Sequence, residues 1–175
     1  FNDTKISIFS LDFTDSYAVL FLPGGATAQF SALPLNFLNL SPSQTADYLV
    51  TGYWSEKAAK EAEKFGKINW VVPKQAKYQS KHPHQQHFMR SNYLSFLTGV
   101  PAETTWKLTE NASYFYYCSN ETIHGIEIAD IPSIVPSNVP IVCDMSSNFL
   151  TRQLDVTKVQ RKKKDSRLKN NLSSI

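Results

Sequence analysis

The sequence predicts an α/β protein, a three-layer αβα arrangement with a mostly parallel sheet. Three observations carry that expectation. Short apolar runs rich in β-branched and aromatic residues recur along the chain, helix-period segments separate them, and small-residue or polar turns mark the joints. Strands that alternate with helices suit a parallel sheet covered by helices on both faces, because a parallel pair needs a crossover.

The elements follow in order. Residues 17–22 form the first expected strand and residues 26–40 a helix, despite Pro34. A strand is expected at 48–51, and a helix at 55–65 in which Ser55 caps the start, Lys57, Lys60 and Lys64 face outward, and Gly66 marks the stop. Further strands are expected at 68–72, 114–118 and 140–143, and there is no internal repeat.

Composition bounds the class. A chain of 175 residues, 42% hydrophobic and 13% aromatic, is ordinary for a globular protein and long enough to bury a sizeable core. It holds no run of eighteen apolar residues, and the apolar patch at 6–11 is too brief for a signal peptide, so a cytoplasmic protein with no membrane partner is expected. In a reducing compartment Cys118 and Cys143 are expected as two buried thiols.

The formal net charge of +3 comes from the end of the chain, where Lys158, Arg161, Lys162, Lys163, Lys164, Arg167 and Lys169 cluster. Such a run can bind nucleic acid, but a solvated, disordered tail over residues 159–175 is the commoner reading, and no aromatic residues interleave to form a nucleic-acid groove. No nucleic-acid partner is expected. His82, His84 and His87 have metal-ligand chemistry, yet no carboxylate or thiol accompanies them beside Pro83, so the expected metal site is none.

Four segments carry chemistry. The first is the turn Pro23-Gly24-Gly25-Ala26-Thr27-Ala28, between an apolar run and a helix-compatible one. Backbone N–H groups at a helix start have no intrahelical partner, so such a turn can seat a phosphate, although a Gly-Gly turn with no ligand is common. The second is Val50-Thr51-Gly52-Tyr53-Trp54-Ser55, whose indole can stack on a flat ring. The third, Cys118-Ser119-Asn120-Glu121-Thr122-Ile123-His124-Gly125, follows an aromatic strand, where ligand groups gather in open α/β sheets. The fourth, Asp144-Met145-Ser146-Ser147-Asn148-Phe149-Leu150, puts a carboxylate at a strand end, a position where an Asp is often only a helix cap.

With these four segments in order, the chain resembles the phosphoserine aminotransferase family, class V enzymes of the type I pyridoxal-phosphate aminotransferase fold. The similarity runs from about residue 15 to about residue 158. It implies a partial large domain over residues 1–158, an inserted loop at 79–98, and pyridoxal 5'-phosphate as cofactor. Carried over by position, the implied cofactor-binding residues are Ala26 and Thr27 at the phosphate, Trp54 on the ring, Thr122 near the phenolic oxygen and Asp144 on the ring nitrogen. A carboxylate on that nitrogen keeps it protonated, so the ring can withdraw electrons when the substrate's α-proton leaves. The family converts 3-phosphohydroxypyruvate and glutamate to phosphoserine and 2-oxoglutarate in serine biosynthesis, and works as a homodimer.

One catalytic part has no counterpart. The family's lysine lies about two dozen residues after the aspartate on an apolar strand, whereas this chain has a charged run there, and Lys169 is in the wrong surroundings for a lysine whose pKa must fall. No catalytic residue is therefore assigned. The family's opening segment and small domain are also unmatched, so the chain is expected to be a middle piece with little activity alone. The alternative is a non-catalytic relative that binds a phosphorylated ligand or a full-length subunit.

Overall fold

A computed structural model describes residues 20–73, 99–149 and 151–152. In chain order they form helix α1 (Gly25–Phe37), a 3₁₀ turn (Leu38–Leu40), strand β1 (Thr45–Leu49), helix α2 (Tyr53–Ala62), strand β2 (Lys67–Trp70), a second 3₁₀ turn (Glu103–Thr105), and strands β3 (Phe115–Cys118), β4 (Asn120–Glu121), β5 (Ile126–Glu127) and β6 (Ile141–Asp144). The expectations for 17–19, the loop at 79–98 with its three histidines, and the tail at 159–175 lie outside the described residues.

The sheet runs β2–β1–β3–β6 with every neighbouring pair parallel. β1 is central and all five of its residues are buried, as suits a strand covered on both faces. Strand alternation makes two cores. Ala46, Tyr48 and Val50, with Tyr114 and Tyr116, pack on one face against Phe30 and Leu38 and against Ala58, Ala59 and Ala62 of α2. Leu49, Phe115, Tyr117 and Ile141 pack on the other face with Val71, Trp106, Val135 and Val139. Both described helices therefore lie on the first face. The second is covered, among the described residues, by irregular chain, with the Trp106 ring stacked on Phe115 at 5.9 Å.

Local chemistry explains the helices and one shift of boundary. In α1, Phe30 and Pro34 stand four residues apart and are its buried residues; Pro34 has no N–H to give but its carbonyl accepts from the Leu38 N–H, and the helix passes at Leu38 into the 3₁₀ turn. α2 lies close to the sheet because its inner residues are alanines, while Glu56 and Lys60 pair outside at 2.6 Å. It starts at Tyr53, so Ser55 is its third residue and not its cap. The Ser55 Oγ accepts from the Thr51 and Gly52 amides at 3.0 and 3.1 Å, a local bond that closes the chain one turn earlier than a serine cap would. Gly66 likewise follows a turn at 63–65 that has already ended the helix. Residues 20–22 are exposed and pair with no strand among the described residues; a strand needs a neighbour to bond its backbone.

A buried acid ties the central strand to its surroundings. Asp47 accepts from Asn69 Nδ2 at 2.8 Å and from the Thr109 amide at 2.9 Å, joining β1 to β2 and to the chain before β3. Burial pushes its carboxyl above the ordinary 3.8, more than these hydrogen bonds lower it. The folded state therefore holds this proton more readily than the unfolded one, and stability falls as pH rises from the unfolded value to the folded one. Asp47→Asn cannot titrate. Urea unfolding from about pH 4 to about pH 7 is expected to show that downward slope in the wild type and a flatter profile in the variant.

Candidate cofactor site

The carboxyl ends of β1, β3 and β6 lie side by side at one edge of the sheet, where parallel α/β sheets collect ligand groups. β1 leads through Gly52 into α2, β3 leads into β4 and its turn, and β6 ends on Asp144. Three of the expected site residues, Trp54, Thr122 and Asp144, stand at these exits.

Trp54 and Thr122 meet directly. The indole Nε1 donates to Thr122 Oγ1 at 3.1 Å. That hydroxyl accepts from Trp54 and keeps its own O–H free to donate. Lys57 Nζ sits over the indole at 5.7 Å from the ring centroid, so one ring face is taken by the cation, and Tyr53 packs edge-on at 5.1 Å.

Behind this pair lies Glu121, fully buried, a residue whose place in the sequence assigns it no role by itself. Its two oxygens accept from the Trp54 amide at 2.9 Å and the Ser55 amide at 2.8 Å, which satisfies donors of the first turn of α2. Burial pushes the Glu121 carboxyl up, and the Asp144 charge adds to the rise. A Cβ at Gly52 would stand 2.5 Å from Glu121 Cδ, so the glycine is what lets the acid reach the helix. Its signal in the sequence was an acid straight after an aromatic strand. Its partner, however, lies 67 positions away.

Asp144 is held at both oxygens. Oδ1 accepts from the Ser146 amide at 3.0 Å and from the Ser146 hydroxyl, and Oδ2 accepts from Tyr116 Oη at 3.2 Å. No helix follows Asp144 among the described residues, so it caps none; the acid stabilises its own turn instead. Its side chain also lies with Tyr116 on the face of the sheet that α1 and α2 cover. Tyr116 was another residue without an assigned role.

Ala26 and Thr27 occupy the first turn of α1, exposed, after Gly24 with φ 113° and Gly25 with φ 60°. No side chain caps this helix, so its first amides are offered outward. They do not touch the other three residues. The link runs through the aromatic core: Phe30, one turn further along α1, packs edge-on against Tyr116 at 6.4 Å, and Tyr116 reaches Asp144. The donor set has the chemistry of a phosphorylated cationic ring, with amides for the anion, an indole for the flat face and a carboxylate for the protonated nitrogen.

Both cysteines are free thiols, Cys118 buried as expected and Cys143, at the end of β6, only half-buried. Burial pushes both up, Cys143 to about 11, which leaves them protonated near neutrality. Among the described residues no three His, Cys, Asp or Glu are grouped to hold a metal ion, and no helix is long and apolar enough to cross a membrane.

Gly52→Ala tests the Glu121 clamp. The added methyl is expected to displace the carboxylate, speed amide exchange at Trp54 and Ser55, and lower stability by about 1–3 kcal/mol in a denaturant titration.

Comparisons with known proteins agree with this fold. The family model for aminotransferase class-V matches residues 10–161. A phosphoserine aminotransferase of Drosophila melanogaster is 47% identical over 148 residues, which cover 85% of this chain and 35% of the fly protein. A probable phosphoserine aminotransferase of Dictyostelium discoideum is 38% identical over 159 residues, 90% of this chain and 38% of its own length. Among solved structures, a PLP-bound phosphoserine aminotransferase from Trichomonas vaginalis superposes with a TM-score of 0.69 at 38% identity, covering 89% of this chain and 38% of that one. The chain thus spans a little over a third of the length of these relatives, and it carries the α/β fold of the phosphoserine aminotransferases. With most of its length matched by the family model, this chain belongs to the class-V aminotransferases.

Proposed function

We propose that this chain supplies part of the cofactor-binding large domain of a phosphoserine aminotransferase and holds pyridoxal 5'-phosphate. The single observation that carries the proposal is the common end of the parallel sheet, at which Trp54 and Thr122 are hydrogen-bonded to each other and β6 ends on Asp144, held by Tyr116 on the face that the helix beginning at Gly25 covers. Bound there, the cofactor supplies an electron-withdrawing ring that stabilises negative charge on the α-carbon of an amino acid.

The chain's own residues do the rest. The amides at Ala26 and Thr27 take the phosphate with helix-dipole assistance, and the Thr27 hydroxyl adds a donor. Trp54 offers an indole face, Thr122 a hydroxyl donor, and Asp144 the anion that keeps a ring nitrogen protonated. In the full-length family protein this site serves the transfer of an amino group between glutamate and 3-phosphohydroxypyruvate, in serine biosynthesis, in a cytoplasmic homodimer. On this reading residues 1–158 belong to the large domain, with 79–98 an insertion and 159–175 a separate basic tail.

No lysine in the sequence matches the family's covalent one, so binding rather than turnover is the direct test. Pyridoxamine phosphate, which needs no covalent link, is titrated calorimetrically into the chain. Saturable binding is expected, weakened about 10-fold or more by Asp144→Asn, since a charged hydrogen bond contributes about 1.5–3 kcal/mol. Inorganic phosphate that binds as tightly as pyridoxamine phosphate would favour a general phosphate seat and overturn the assignment, as would no binding of either.

A further inference from the structure

We propose that Tyr116 is a positioning residue for Asp144: its hydroxyl, donated to Oδ2, fixes the carboxylate that meets the ring nitrogen of the cofactor and tunes how strongly that nitrogen holds its proton. The proposal rests on the pyridoxal phosphate reading above and goes one residue beyond it.

The geometry leaves Tyr116 little freedom. It is 1% exposed. Its ring is stacked on Tyr48 at 4.7 Å with planes 25° apart, and Phe30 of α1 meets it edge-on at 6.4 Å and 87°. A ring held on two sides cannot swing its hydroxyl away from Asp144 Oδ2, which it reaches at 3.2 Å. Burial first, and the neighbouring Asp144 charge second, hold the phenol well above its ordinary value, so it remains a donor at every physiological pH. The other carboxylate oxygen is held by Ser146, from the turn after β6. The acid is therefore clamped from two separate elements, β3 and its own turn.

Tyr116 also joins the two ends of the proposed ligand site. Its ring packs on Phe30 of the helix whose first amides would hold the phosphate, and its hydroxyl bonds the acid for the ring nitrogen. The other titratable groups that feel the Asp144 charge are Cys118 on β3, Cys143 on β6 and Glu121 on β4. Both thiols stay neutral, which leaves Glu121 as the other acid in the field.

A donor aimed at a carboxylate draws part of its negative charge away from a second partner. Tyr116→Phe keeps the ring packing and removes that donor, so more of the charge faces the ring nitrogen. The test uses pyridoxamine phosphate labelled with ¹⁵N at the ring nitrogen, bound to the chain and titrated by NMR. Tyr116→Phe is expected to raise the nitrogen's titration midpoint by about half a pH unit or more. Tyr114→Phe is the control. It removes a buried hydroxyl that bonds Tyr48 at 2.7 Å, and it is expected to leave the midpoint in place.

A second measurement needs no variant. In wild-type chain labelled at tyrosine Cζ, pyridoxamine phosphate is expected to shift the Tyr116 signal. Equal midpoints in wild type and Tyr116→Phe, an equal rise in Tyr114→Phe, or an unmoved Tyr116 signal on binding would each overturn the positioning role while leaving the cofactor site intact. Wild-type chain that binds no pyridoxamine phosphate would overturn the parent reading, and this proposal with it.

Discussion

A carboxylate removed from water is tolerated only where donors replace the water, and Glu121 is such a group. Its two oxygens rest on two amides in the first turn of α2, where the helix dipole adds partial positive charge. The arrangement of the strand exits depends on this contact. It joins β4 to α2, and through α2 to the end of β1, across 67 positions of sequence. It also sets Trp54, because Glu121 holds the tryptophan's backbone while the next residue, Thr122, holds its indole. The order Gly52-Tyr53-Trp54-Ser55 follows from the same acid. The glycine makes room for the carboxylate, and the serine hydroxyl takes the two amides that precede the helix.

The two faces of the sheet are chemically unlike, and the difference decides where a polar ligand can go. On the face away from the helices, Trp106, Phe115, Val135 and Ile141 make an apolar layer, in which the Asp47 carboxylate is already taken by Asn69 and Thr109. On the helix face three tyrosines stand in the core. Tyr48 and Tyr114 satisfy each other's hydroxyls, and Tyr116 turns its hydroxyl to Asp144 at the edge. The two-residue period of β6 places Val142 and Asp144 on this helix face, with Ile141 and Cys143 on the other. A slip of one residue would face the thiol toward the helices and drive the acid into the apolar layer. Register, held by Cys118 opposite Asp144, is thus a condition of the site as well as of the sheet.

Much of this was legible from residue patterns, and the parts that were not share a cause. Apolar residues located β1, β2, β3 and β6 to within a few residues, and the expected start of β1 fell late because its first three residues include the polar Thr45 and Asp47. Helix α1 was legible through Pro34, since its neighbours Phe30 and Leu38 keep helical spacing on the buried side. The start of α2 was misplaced by two residues because a serine near a helix start resembles a cap, while the acceptor that relieves the amides comes from a distant strand. Glu121 and Tyr116 escaped for the same reason. Each acts through a partner in another element, and neither residue type at its position announces that partner. Trp54, Thr122 and Asp144, by contrast, fall at strand exits, where the fold class itself directs attention.

A residue with a structural duty can still serve a ligand, and on the proposed reading Asp144 does both. One carboxylate offers about four acceptor sites. Ser146 uses the Oδ1 side to close the turn, and Tyr116 uses one site on Oδ2, so acceptor capacity remains after the fold has been served. An acid whose orientation is already maintained by its own turn and by a wedged phenol does not have to be ordered by the ligand, and that loss of freedom is removed from the binding step. Thr122 follows the same logic, since accepting from Trp54 orients its hydroxyl and leaves the proton to give. The contacts that hold this edge of the sheet together are also the contacts that orient its polar groups.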